Sequence, residues 1–261
     1  NDSFVMVGHG GSNTGAQTES QRPGNGDLSG DISVASELGS IIMHGGNDRS
    51  FVQIGHGGQA VIGDKDGNIT VEGELLDMRG ALLLSGSIDG SNRAGTRIGH
   101  GGYESYGGTG DGEGYSGDIS VVITGSIYGD VAAENTNSSG ANVVHFGHGG
   151  WSSGVVVQNG NIKDPNSHNG QGINPNLAGH TGNIHVEATN GDMTFFAGSR
   201  ASSFVHIGNG GYTSSGNHSG DVTVIAGGDI TLDRKVIADP ATRGTADNSY
   251  VMIGNGGNRS G

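Results

Sequence analysis

Apolar residues in this chain come in short alternating bursts, and the bursts repeat. "FVQIGHGG" runs from Phe51 to Gly58, and close copies occur at Phe4–Gly11, Arg97–Gly102, Val143–Gly150, Phe204–Gly211 and Tyr250–Gly257. In each, two inward positions, apolar except for Thr96, alternate with a variable one: Val52 and Ile54 point one way, Gln53 the other. Period-two alternation is the mark of a strand with one face on a core. The position of Gln53 holds Met6, Arg97, His145, His206 or Met252 elsewhere, so the pattern places it on the solvent side.

Two further elements recur in each period. One is [S/T/D]-G-[D/N]-[I/V]-x-V, as in "SGDISV" (Ser29–Val34), "DGNITV" (Asp66–Val71), "SGDISV" (Ser116–Val121), "TGNIHV" (Thr181–Val186) and "SGDVTV" (Ser219–Val224). The other follows it: "GSIIM" (Gly39–Met43), "GALLL" (Gly80–Leu84), "GSIYG" (Gly125–Gly129), "GDMTF" (Gly191–Phe195) and "GDITL" (Gly228–Leu232). Each period thus carries three predicted strands hinged at glycine. The first glycines of G-[HN]-G-G stand at 8, 55, 99, 147, 208 and 254, at intervals of 47, 44, 48, 61 and 46. A near-constant period in this range is the signature of a repeat architecture.

Length varies only between the elements, and all four prolines fall there: Pro23, Pro165, Pro175 and Pro240. Proline cannot donate to a central ladder, so its absence from the strands supports this division. The longest insert follows Gly150, from Trp151 to about Ala178. The pattern describes an all-β solenoid, three-faced, of about 46-residue Gly-rich repeats, forming one domain over residues 1–261. Like segments then stack in parallel about 4.8 Å apart. One or two turns per period both fit. The chain begins inside one copy of the repeat and stops inside another, as a segment of a longer repeat protein would.

Composition narrows the function. Glycine accounts for 55 of 261 residues and hydrophobic residues for 31%, too few apolar side chains for one thick core but enough for a long, thin one. Net charge is −14 and only Lys65, Lys163 and Lys235 are lysine, which argues against nucleic-acid partners and anionic membrane surfaces. There is no apolar run long enough to insert in a membrane. Cysteine is absent, so disulfides and thiolate metal sites are excluded.

At "SGDISV", "DGNITV" and "SGDVTVIAGGDITL" the chain resembles the filamentous haemagglutinin-like adhesins and autotransporter passengers. The resemblance covers the second and third elements, about a third of the residues. It implies a right-handed parallel β-helix and a secreted, cell-surface fibre or adhesin. The G-[HN]-G-G element and the long period depart from that family's pattern.

The histidine column His9, His56, His100 and His148 continues as Asn209 and Asn255. Stacked imidazoles would suit zinc or nickel. Asparagine, a poor ligand for such metals, shares the ability of imidazole to donate and accept, so a structural hydrogen-bonded ladder is the better reading. Asp31, Asn68, Asp118, Asn183 and Asp221 mark corners, where Asp and Asn can bond local backbone. Outward Ser33, Thr70, Ser120, His185 and Thr223 form a mixed file that suits a polar solvent face.

Calcium is the ion most suited to the acidic turns. Candidate ligands are Asp64 and Asp66 in "GDKDGN", and Asp111 and Glu113 in "GGTGDGEGYSGD". Ile69 stands where an EF-hand needs glycine, and Gly112 where the calcium-binding nonapeptide needs Asp, so a solvated turn is the plainer reading. No other cofactor is expected.

Trp151, Tyr103 and Tyr212 follow G-G at matching places and are candidate ligand contacts. They motivate an alternative: a carbohydrate-binding or carbohydrate-cleaving β-helix using the Trp151–His180 insert, where an exposed Trp would stack on sugar. Three or more carboxylates near Arg79, Arg93 or Arg97 would favour it. The repeated Asp and Asn argue against catalysis, because a catalytic cluster breaks a repeat. No G-x-S-x-G nucleophile context is present, and the Gly-rich runs precede no helix that would hold a phosphate. The sequence therefore reads as a non-enzymatic rod of a fibre, with itself and surface glycans as candidate partners.

Overall fold

The computed structural model describes residues 4–12, 27–46, 50–59, 61, 63–79, 95–103, 105, 114–131, 142–151, 153, 157–158, 161–162, 179–198, 203–212, 214, 216–234 and 249–257. Among these residues there is no helix. The chain is a parallel β-helix whose turns build five parallel sheets.

Sheet I stacks Phe4–Val7, Phe51–Ile54, Gly95–Ile98, Val143–Phe146, Phe204–Ile207 and Tyr250–Ile253. Sheet II stacks the glycine strands Gly10–Ser12, Gly57–Gln59, Gly101–Tyr103, Gly149–Trp151 and Gly210–Tyr212. Sheet III consists of two-residue strands: Leu28–Ser29, Lys65–Asp66, Tyr115–Ser116, His180–Thr181 and His218–Ser219. Sheet IV holds Ile32–Ala35, Ile69–Gly73, Ile119–Ile123, Ile184–Ala188 and Val222–Ala226. Sheet V holds Ser40–His44, Leu75–Arg79, Ile127–Asp130, Met193–Ala197 and Ile230–Arg234. Each strand of these five sheets pairs in parallel with its counterpart in the next period, Phe4 with Phe51 and Gly95 with Val143 among them, so one period is one turn; Val157–Gln158 and Asn161–Ile162 in the long insert pair antiparallel with each other.

Five paired strands per turn replace the three expected. Sheets II and III escaped the pattern because alternation cannot show in a Gly-Gly strand or in two residues. The second turn's last strand is also not "GALLL", which lies outside the described residues, but Leu75–Arg79. Register aligns Leu75 with Ser40, which places Glu74 where other turns carry Gly39, Gly125, Gly191 and Gly228. None of those four glycines takes a positive φ, so the backbone conformation there is open to an L-residue such as Glu74, and the expected glycine marker is lost.

The glycines of G-[HN]-G-G are a different case. Gly55, Gly99 and Gly147 have φ of 147°, 148° and 149°, a region closed to most L-residues. A Cβ on Gly99 would lie 1.9 Å from the carbonyl oxygen of Gly147 in the next turn, so backbone stacks directly on backbone.

The main core lies between sheets I, IV and V. Ile54, Ile98, Phe146 and Ile207 meet Ile69, Val71, Ile119 and Val121 and, from sheet V, Leu76, Met78, Met193 and Phe195. The other side of sheet I is also covered. Gln53, Arg97, His145 and His206 are 4%, 3%, 0% and 0% exposed, so the solvent side predicted for this file is an interior. Here the chain bends back at Gly-His, and the glycine strand of sheet II packs against the polar file. A Cβ on Gly150 would meet the Arg97 guanidinium, and one on Gly149 the His180 ring, so bare glycines let sheet II sit between two files of large side chains.

Candidate functional site

The histidine column sits at the bend between sheets I and II. The rings of His9, His56, His100 and His148 stack with centroids 4.9, 4.8 and 4.8 Å apart. The rings of His56, His100 and His148 each accept at Nδ1 from the backbone N–H of the preceding turn's residue: His9 to His56 at 3.0 Å, His56 to His100 at 2.9 Å, His100 to His148 at 3.1 Å. Each Nε2 donates to a carbonyl at the corner of sheets III and IV, of Gly30, Gly67 and Gly117 in turn, at 2.8, 2.8 and 2.7 Å. The asparagines repeat both bonds. Oδ1 of Asn209 accepts from His148 and that of Asn255 from Asn209, while their Nδ2 atoms donate to Gly182 and Gly220.

This pairing fixes the tautomer, with hydrogen on Nε2 and the lone pair on Nδ1. Both nitrogens are consumed by backbone. Burial lowers the pKa of His56, drives that of His100 well below the ordinary value and holds His148 at about 4.

A second polar file lies between sheets I and II. Gln53 donates from Nε2 to the carbonyls of His56, Gly99 and Gly101 at 3.1, 3.0 and 3.1 Å. Arg97 donates from Nε to Nδ1 of His145 at 3.3 Å, and burial lowers its pKa to about 10. His145 and His206 stack at 5.0 Å and bond Gly208 and Gly254.

A third file runs inside sheet III. Lys65 places Nζ 4.6 Å from the Tyr115 ring centroid and donates to Gly63 at 2.6 Å, and burial lowers its pKa to about 7. Tyr115 stacks on His180 at 4.6 Å, and His180 on His218 at 4.8 Å. Across the gap between sheets II and III, Tyr115 donates to the carbonyl of Ser105, while Ser153 and Ser214 bond Nε2 of His180 and His218 at 3.1 and 3.2 Å. Each serine is the third residue after a G-G, a signal visible in the sequence that the three-strand reading passed over.

The corner residues Asp31, Asn68, Asp118, Asn183 and Asp221 form an exposed ladder. Each side-chain Oδ1 accepts the backbone N–H of the next, at 2.8, 2.9, 2.8 and 2.9 Å. Asp and Asn alternate turn by turn. Four residues on, the file Ala35, Glu72, Val122, Glu187, Ile225 alternates in the opposite phase. Across these two files each turn therefore carries one carboxylate, and no two stand directly over one another.

The outer side of sheet V breaks the repeat. Arg79 forks onto Asp77 at 3.0 and 2.9 Å and lies 5.5 Å from the Tyr128 ring centroid. Tyr128 donates to Asp130 at 2.7 Å and meets Phe196 edge-on, and His44 approaches Asp77 at 3.4 Å. Two carboxylates thus stand by Arg79. Arg97 is inside beside His145, and Arg93 lies outside the described residues.

Tyr103, Trp151 and Tyr212 are adjacent in register on sheet II. Tyr212 is 7% exposed and packs with Val143 and Phe204 in a small second core. His180 of the insert's end is inside sheet III. Of the calcium candidates, Asp64 and Asp66 flank buried Lys65, while Asp111 and Glu113 lie outside the described residues. No group of three or more metal-ligating side chains converges among the described residues. No family, curated protein or solved structure matches this chain. The class these features define is a parallel β-solenoid with internal polar ladders.

Proposed function

We propose that this chain is a non-catalytic structural rod, a segment of a large secreted or cell-surface fibre or adhesin. The observation that carries the reading is where its chemistry goes. The imidazole column, the Gln53–His206 file and the corner carboxamides direct their hydrogen bonds at the neighbouring turn or the adjacent corner, so the repeated side chains serve turn-to-turn cohesion. Surface glycans are the partners such a rod would meet at the cell surface.

Electron micrographs of the native assembly test the reading. Filaments longer than the ~24 Å spanned by five turn-to-turn steps are expected. Isolated globules with saturable binding on a glycan array, lost in Trp151→Ala, would replace it with the carbohydrate-binding alternative.

A further inference from the structure

A neutral imidazole has one donor and one acceptor, and imidazolium has two donors and no acceptor. In the column each acceptor, Nδ1, faces a backbone N–H of the turn before. A proton added to His56, His100 or His148 therefore points one N–H at another across a joint between turns. Asn209 and Asn255 make the same two bonds and cannot take up a proton in this range. Above neutrality His and Asn rungs are interchangeable; in acid only the His rungs fail.

We propose that the column is an acid-sensitive latch: His56, His100 and His148 hold the joints between the first four turns only while neutral, and Asn209 and Asn255 keep the last two joints closed in acid. The charged and titratable groups facing the column include Lys65 and Asp66 on sheet III, Asp118 at the sheet IV corner, Arg97 on sheet I and the stacked histidines themselves. Lys65, Arg97 and neighbouring imidazolium oppose protonation; Asp66 and Asp118 favour it but are exposed.

The sign follows from linkage. His148 titrates near 4 when folded, below the 6.5 of free histidine, so between these values the unfolded chain binds more protons. Stability contributed by the column is complete above pH 6.5 and is lost as pH falls toward 4. His145 and His206, and His180 and His218, add an acid response of their own that Asn substitution in the column leaves in place.

The test compares the wild type with His56→Asn/His100→Asn/His148→Asn by circular dichroism from pH 7 to 3. The triple variant should match the wild type at pH 7 and unfold at a midpoint lower by about half a pH unit or more. Equal midpoints would overturn the latch. Amide exchange in the wild type at pH 5 gives the second readout. The N–H groups of His9, His56 and His100 should lose about tenfold more protection than those of His148 and Asn209. Uniform loss along the column overturns the proposal, and this measurement decides alone if the triple variant does not fold.

Discussion

The backbone N–H of His148 donates to Oδ1 of Asn209 at 3.1 Å, in the geometry by which His100 donates to Nδ1 of His148 at 3.1 Å. One rung is an amide, the other an aromatic ring, and the joint is the same. What the site requires is an acceptor for the turn before and a donor to a corner carbonyl.

Substitutions at His100 should therefore divide by hydrogen bonding, not by size or hydrophobicity. His100→Asn should cost less than about 1 kcal/mol at pH 7. His100→Leu strands the buried N–H of His56 and the partly buried carbonyl of Gly67, at about 2–5 kcal/mol. Chemical denaturation of the two variants checks this. A more stable Leu variant would mean that hydrophobic stacking, not the bond pair, holds the column.

The column was legible because His and Asn share one position in six copies, and only hydrogen bonding unites them. The inward face of sheet IV was legible too, since Ile119 and Val121 alternate with Ser120. The Gln53 file was not. A position filled by Gln, Arg, His and Met looks tolerant and hence exposed, whereas it is buried against glycine backbone that supplies carbonyl acceptors. Polar content in the sequence marked a second interior, and strand alternation alone cannot separate that from solvent. The cluster around Arg79 was hidden for another reason: its members come from four turns and meet only when the turns stack.

Glycine positions separate backbone conformation from space. Gly30 has φ of 127° and open space where a Cβ would stand, with nothing within 4 Å, so Gly30→Ala should cost only the dihedral strain, about 1–3 kcal/mol. Gly101 has φ of 114°, and its Cβ would lie 2.2 Å from the carbonyl oxygen of Gly149 and 3.1 Å from the Tyr115 ring. Gly101→Ala should exceed about 4 kcal/mol or prevent folding. Equal thermal shifts in the two variants would show that the close stacking of sheet II relaxes freely.

Alternation of Asp and Asn at the corner spaces the carboxylates two turns apart. Asn68→Asp with Asn183→Asp keeps every Oδ1 acceptor but creates five carboxylates in succession, each about 4.8 Å from the next. Like charges directly opposed across strands destabilise a sheet, and salt screens them. The melting temperature of this double variant should fall at low ionic strength and recover toward the wild type in high salt. A salt-independent loss would point instead to a lost carboxamide hydrogen bond.

The serine bonds between sheets II and III close inserts of very different length with one geometry. Ser153 reaches His180 across a separation of 27 residues, and Ser214 reaches His218 across four. If the bond defines the base of the insert, the residues between are free to vary, and cutting the long insert to the short spacing should leave the turn intact. Closing a shorter loop also costs less entropy: on a logarithmic dependence the reduction should stabilise the fold by about 1.5 kcal/mol. Replacing residues 155–178 with one or two glycine or serine residues, followed by thermal unfolding, checks this. A fall in stability would mean that the insert contributes packing of its own. Ser153→Ala in the shortened chain then serves as the control, since it should lose about 1 kcal/mol whichever insert is present.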